Sequence, residues 1–194
     1  MQSAGPSREG RTLLRPDDLI LMGARGCGKS TIGAALSNHI EARFDDLDDL
    51  VLARFPEVSV QQVFDARGET AWRDAECETF LHWMEGTGRR LRILALGGGT
   101  PMIDTVASQL RAAGTAGTAW IVYLEAPAAV LADRLRRTMG DRPSLTGVAP
   151  ADEMDSILAH RASTYQSLAT ARLDATQPIH WQIRTLVDWL SRAA

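Results

Sequence analysis

"GARGCGKST", residues 23–31, is the stretch that decides how the rest of this chain is read. Its Lys29 is the only lysine among 21 basic residues; every other one is arginine. Gly23 to Ser30 has the spacing G-x-x-x-x-G-K-[ST] of a phosphate-binding loop, which requires a strand before it and a helix after it. Both are predicted: "LILMG" (19–23) reads as a buried strand, and a helix follows the glycines to about Ile40. The residue types suit the task. Glycines let backbone N–H groups curl around phosphate oxygens, and the helix N-terminus adds partial positive charge. Lysine supplies a compact charge on a flexible stem, a role that a planar guanidinium fills poorly. The Ser30 hydroxyl can ligate Mg2+. Gly26, Cys27, Gly28, Lys29, Ser30 and Thr31 are thus candidate ATP-binding residues, with Cys27 a spacer at a variable position of the motif.

Working outward, short apolar runs alternate with longer amphipathic segments. "ARFDDLD" (42–48) reads as a second strand ending in acids, "RILALGGG" (92–99) as a third, "TAWIVYLEAP" (118–127) as a fourth and "RLDA" (172–175) as a short fifth. Helices are predicted in "SVQQVFDARG", with Ser59 as N-cap, in "GETAWRDAECETFLHWMEG", from near Ala128, and from about Pro150 to Ala169. A terminal helix carries Trp181, Ile183, Leu186, Val187 and Leu190. Trp83, Trp120, Trp181 and Trp189 are assigned to core or helix packing. Strand–helix alternation of this kind predicts an α/β three-layer sandwich: a central parallel sheet of about five strands, covered by helices on both faces. Residues 1–17 read as a disordered tail and 18–194 as one domain, with a mobile polar lid over about 138–150.

The chain has 194 residues and a formal net charge of −3, which argues against a general nucleic-acid or membrane-surface binder. Two cysteines, Cys27 and Cys77, far apart, and four scattered histidines argue against a zinc or disulfide framework and point to a reducing cytoplasm. No apolar run approaches the length of a membrane span.

Within the phosphate-loop class, a GTPase switch needs a base-reading N-K-x-D motif, and the only lysine is already engaged. A small-molecule kinase is preferred. Asp46 and Asp48 in "FDDLDD" lie two residues apart, so on an extended segment they share a face. One carboxylate can hold Mg2+ and the other can accept a hydrogen bond from an attacking hydroxyl. Asp45 and Asp49 read as solvated acids of a turn or helix start.

At this point the chain resembles the shikimate kinases over nearly its whole length after Asp18. "FDDLD" is similar to the family's F-x-D-x-D strand end. "VFDARGETAWRDAE" resembles its F-x-x-x-G-E-x-x-F-R-x-x-E helix pair, through Phe64, Gly68, Glu69, Arg73 and Glu76, with Trp72 standing where Phe is usual. "LGGGTP" resembles the family's glycine triplet, "DRPSLTG" its lid, "RASTY" (161–165) its R-x-x-x-Y helix, and "LDAT" (173–176) its segment near the adenine.

The resemblance implies a P-loop kinase fold and transfer of the ATP γ-phosphate to a ring hydroxyl of shikimate. It implies Lys29, Asp48 and Arg142 as the catalytic residues, with Asp48 binding the acceptor hydroxyl as base or as positioning group. Arg142 would close over the phosphates from the lid, and Arg137 would help to bind the nucleotide. Arg73 and Arg161 would clamp the substrate carboxylate bidentately, beside Gly97, Gly98 and Gly99. Ser30 and Asp46 would hold Mg2+. The expected partners are ATP and shikimate alone, with no nucleic acid or membrane, in a cytoplasmic monomer. Two alternatives remain at this stage. One is a related kinase for another hydroxy acid such as gluconate, and the other a shikimate-kinase-like domain that senses its ligand without catalysis.

Overall fold

The computed structural model describes residues 17–86, 91–138 and 153–192. In chain order these form β1 (Asp18–Met22), α1 (Lys29–Ile40), β2 (Arg43–Asp46), α2 (Leu47–Leu52), α3 (Val60–Glu85), β3 (Arg92–Ala95), a 3-10 turn (Thr100–Met102), α4 (Asp104–Ala116), β4 (Ala119–Glu125), α5 (Ala128–Thr138), α6 (Met154–Leu168), β5 (Ala171–Asp174) and α7 (Ile179–Arg192). The five strands make one parallel sheet in the order β2-β3-β1-β4-β5. β1 sits at its centre with every residue buried, as a strand covered on both faces must be.

The order of the strands positions everything that follows. From β1 the chain passes through α1 to β2, skipping one place, then returns through β3 and continues to β4 on the far side of β1. Right-handed crossovers put α1 on one face and α4 on the other. α7 packs against α1, while α3 and α6 pack against α4. This reversal opens a crevice between the loops after β1 and β3, at the carboxyl ends of the strands, where open α/β sheets take their ligands.

At the opposite end of the sheet, Arg92 of β3 donates to both oxygens of Asp18 of β1 at 2.7 Å, and to the carbonyl of Trp83 at 2.9 Å. Its guanidinium also lies 4.1 Å from the Trp83 ring centroid. Burial raises the Asp18 pKa despite the opposing pull of Arg92.

Several expectations are corrected. α4 has no counterpart among the helices expected from the sequence, because its run of Ala, Gly, Thr and Ser hides the buried stripe of Val106, Leu110 and Ala113. β2 ends at Asp46, and Asp48 belongs to the first turn of α2 instead of an extended strand. Asp45 is not solvated: it accepts from the Trp83 indole N–H at 2.9 Å and pairs with Arg43, facing away from Asp46 as strand alternation dictates. Trp181 is 41% exposed, while Trp83 is buried. The two helices expected around Gly68 are present as the two arms of α3, which meet where the backbone breaks from helical geometry at Gly68 (φ 82°, ψ 165°), and Ser59 caps the first through the Gln62 N–H as expected. The expected tail lies outside the described residues up to position 16, as does the expected lid from 139 onward.

Candidate active site

The loop after β1 enters α1 through Gly28, which caps the helix with no side-chain acceptor. The first N–H groups of α1 are therefore left to whatever anion the loop receives, and no acidic residue lies in the first turn to compete. Lys29 Nζ donates to the carbonyls of Gly23 (2.9 Å) and Ala24 (3.2 Å) and lies 3.7 Å from the Cys27 sulfur, which is buried. Its flexible stem can exchange a carbonyl for a phosphate oxygen.

One residue further on, the exposed Ser30 hydroxyl donates to Asp46 Oδ2 at 2.5 Å. Asp46 Oδ1 meanwhile accepts from the backbone N–H of Asp48 at 3.0 Å, so this carboxylate caps α2 and meets the phosphate loop at once. Asp46 and Asp48 are joined by that cap, and not by the shared strand face expected of them. A serine hydroxyl and a carboxylate in contact beside a phosphate cradle are the hard oxygen donors that Mg2+ takes together with phosphate and water.

The loop after β3 forms the other wall. Gly97 lies against three acceptors and donors: a Cβ there would stand 2.6 Å from Glu76 Oε1, 2.7 Å from Asp48 Oδ1 and 2.8 Å from Thr100 Oγ1. A Cβ at Gly99 would stand 2.5 Å from Arg73 Nη1. Only glycine admits these side chains so close to the backbone. Gly98 faces the phosphate loop, its Cβ position 3.4 Å from the Arg25 nitrogen, and its carbonyl accepts from Arg161 (3.1 Å) and from the Tyr165 hydroxyl (2.5 Å). The glycine triplet thus joins the two halves of the site.

Arg73 is held firmly. Its Nε and Nη2 donate to Glu69 Oε1 at 3.1 and 2.8 Å, and its Nη1 to Glu76 Oε2 at 2.5 Å. Burial works against the charge, but Glu76 and then Glu69 more than offset it, so the Arg73 pKa is raised. Burial also pushes the Tyr165 hydroxyl up to about 12, against the pull of Arg161, so it donates as a neutral phenol.

Arg137 is exposed and pairs with Asp133 one turn back; Arg142 lies outside the described residues. Four residues with a place in the site were not singled out for it from the sequence: Glu76, Thr100, Tyr165 and Arg134. Arg134 Nη2 donates to the carbonyl of Ala175 at 2.7 Å, and its Nη1 lies 3.5 Å from that of Gly26. It links the phosphate loop to the turn after β5, where Asp174 accepts from Thr176 and Gln177 and is held below the usual carboxylate range by them. Helical spacing could have found it: Arg134 flanks the buried Leu131 and Leu135, whereas Arg137 falls on the opposite side of α5 from Leu135.

A phosphate cradle sharing one glycine turn with a pocket of guanidinium and carboxylate groups is the arrangement of a P-loop kinase for small molecules. Comparison with known proteins narrows the class. A family model described as shikimate kinase matches residues 25–191. The chain is 35% identical to shikimate kinase 2 of Dickeya chrysanthemi over 164 residues, covering 84% of this chain and 89% of that one. It is 38% identical to shikimate kinase 2 of Sodalis glossinidius over 162 residues, covering 82% and 87%. Among solved structures, a shikimate kinase from Bacteroides thetaiotaomicron superposes with a TM-score of 0.74 at 28% identity, over 90% of this chain and 96% of that one. The chain belongs to the shikimate kinase family.

Proposed function

We infer that this protein is a shikimate kinase, which moves the γ-phosphate of ATP to a hydroxyl of shikimate. Family membership supports it, and one geometric observation carries it within the molecule: Arg73 and Arg161 both reach the Gly97–Gly99 turn, beside the phosphate loop. Shikimate is a small polyol with one carboxylate, so its site needs an anion clamp and acceptors for hydroxyls. Arg73 and Arg161 supply the first and Asp48 the second. Neither a kinase for another hydroxy acid such as gluconate nor a non-catalytic sensor is favoured, since the family match runs from the phosphate loop into α7.

In this reading the residues divide the work. Gly26, Cys27, Gly28, Ser30 and Thr31 present the loop and the helix N-terminus to the phosphates, and Lys29 follows the charge on the transferred group. Asp48 orients the acceptor hydroxyl in line with it; positioning is the larger part of such a task, because phosphoryl transfer is largely dissociative. Ser30 and Asp46 would hold Mg2+, which supplies charge neutralisation to the phosphates when bound. Arg134 steadies the nucleotide side by joining the phosphate loop to the turn at Ala175. Arg137 and Arg142 keep a nucleotide role on the resemblance alone. We further assign one kinase domain from Asp18 onward, working as a monomer in the cytoplasm, where ATP is at hand and the free thiols Cys27 and Cys77 are stable. Among the described residues no helix is long and apolar enough to cross a membrane.

A coupled ADP-release assay over a panel of hydroxy acids tests this function. Turnover is expected with shikimate and is expected to need Mg2+. Folded protein that binds ATP yet releases no ADP with shikimate contradicts it.

A further inference from the structure

Thr100 follows the glycine triplet and is wholly buried. Its hydroxyl donates to Glu76 Oε1 at 2.6 Å, while the other oxygen of Glu76 accepts from Arg73. Glu76 is itself fully buried, so an oxygen left without a donor there would go unsatisfied. The backbone fixes Thr100 in turn: its N–H donates to the Gly97 carbonyl at 3.2 Å, and its own carbonyl accepts from Ile103 at 3.1 Å. The result is a chain of contacts, Thr100 to Glu76 to Arg73, that starts and ends on the same glycine turn, since the Arg73 guanidinium lies against Gly99.

The donor count on Arg73 shows what this chain of contacts achieves. A guanidinium carries five N–H donors. Glu69 takes one from Nε and one from Nη2, and Glu76 takes one from Nη1. One N–H is left on each terminal nitrogen, which matches the two oxygens of a substrate carboxylate. Which hydrogens stay free depends on where Glu76 stands, and Thr100 sets that.

We propose that Thr100 is a positioning residue for the acid substrate, acting through Glu76 to leave the terminal nitrogens of Arg73 free for a carboxylate. This rests on the assignment of Arg73 to the substrate carboxylate. Thr100 touches neither substrate, so its loss acts on shikimate affinity and leaves the phosphate loop undisturbed.

The test compares Thr100→Val, Thr100→Ser and Arg73→Lys, singly and with Thr100→Val combined with Arg73→Lys, with folding checked by thermal melts. Thr100→Val keeps the shape and removes the donor. It should raise the shikimate KM about tenfold, the effect of one charge-assisted hydrogen bond, with the ATP KM and kcat within about twofold. Thr100→Ser should restore the shikimate KM to within about threefold of the parent. In the Arg73→Lys background, Thr100→Val should add less than about twofold. If Thr100→Val does not fold, Thr100→Ala carries the same comparison. An unchanged shikimate KM overturns the proposal, as does an equal rise for both substrates or a full effect that persists in the Arg73→Lys background. A normal shikimate KM in Arg73→Lys overturns the assignment of Arg73, and this proposal with it. A raised KM in Arg73→Lys beside an unaffected Thr100→Val overturns the proposal alone.

Discussion

Arg73 is the residue proposed to hold the substrate carboxylate, and its surroundings explain why it is an arginine. Glu69 one turn before it and Glu76 one turn after it hold the planar fork from two sides. Exposed helix pairs of this spacing are worth a few tenths of a kcal/mol, but here one partner is fully buried and the guanidinium abuts a glycine backbone. Lysine keeps the charge and loses the fork. Arg73→Lys should therefore raise the shikimate KM by about 10- to 100-fold, the worth of about 1.5–3 kcal/mol for a hydrogen bond to a charge. The ATP KM should stay within about twofold; initial-rate kinetics with each substrate varied in turn will show which changes. At this scale the sequence was readable where spacing alone sets contact. Lys29, Ser30 and the i, i+3 and i+4 neighbours of Arg73 follow from local geometry. The Thr100–Glu76 bond joins residues 24 apart in the chain, and nothing in either local run announces it.

Among the elements, α3 and α2 do the most to shape the site. α3 breaks at Gly68 (φ 82°, ψ 165°), a backbone region that is almost closed to residues with a Cβ. The break lets Val60–Arg67 and Glu69–Glu85 take different directions, so that Arg73 and Glu76 reach the turn after β3. A Cβ at Gly68 would meet nothing within 4 Å, so its cost is backbone strain alone. Gly68→Ala should destabilise the fold by about 1–3 kcal/mol. For a chain of this size that lowers Tm by about 3–10 °C, which calorimetry will register; an unchanged Tm would mean the break is not held. The sequence reading already separated two helices at this glycine. It misjudged α2 because "FDDLDD" supports two structures: alternating acids fit a strand, and an acid before Leu47 equally caps a helix. The cap won because Asp46 can satisfy the Asp48 N–H and meet Ser30 at the same time.

Over the whole molecule, the strand order β2-β3-β1-β4-β5 turns separate motifs into one site. It sets the phosphate loop after β1 beside the glycine triplet after β3 and the acids after β2. The phosphate loop, the five strands and the parallel sheet were legible in the sequence, because each has its own local period or motif. α4 was not, since its small residues blur the helical stripe. Arg134 lies only about 60° round α5 from Arg137, but it stands nearer the buried Leu131 and Leu135 and makes the contact to Ala175, while Arg137 pairs with Asp133 at the surface. With the phosphate cradle beside the proposed carboxylate clamp, and the shikimate kinase family match over residues 25–191, phosphate should go to shikimate in preference to gluconate. The most direct measurement is 31P NMR of one mixture holding the protein, ATP, Mg2+, shikimate and gluconate at equal concentrations. A single new phosphate monoester, that of shikimate, is the predicted result. A gluconate phosphate, or inorganic phosphate as the only product, would contradict the account.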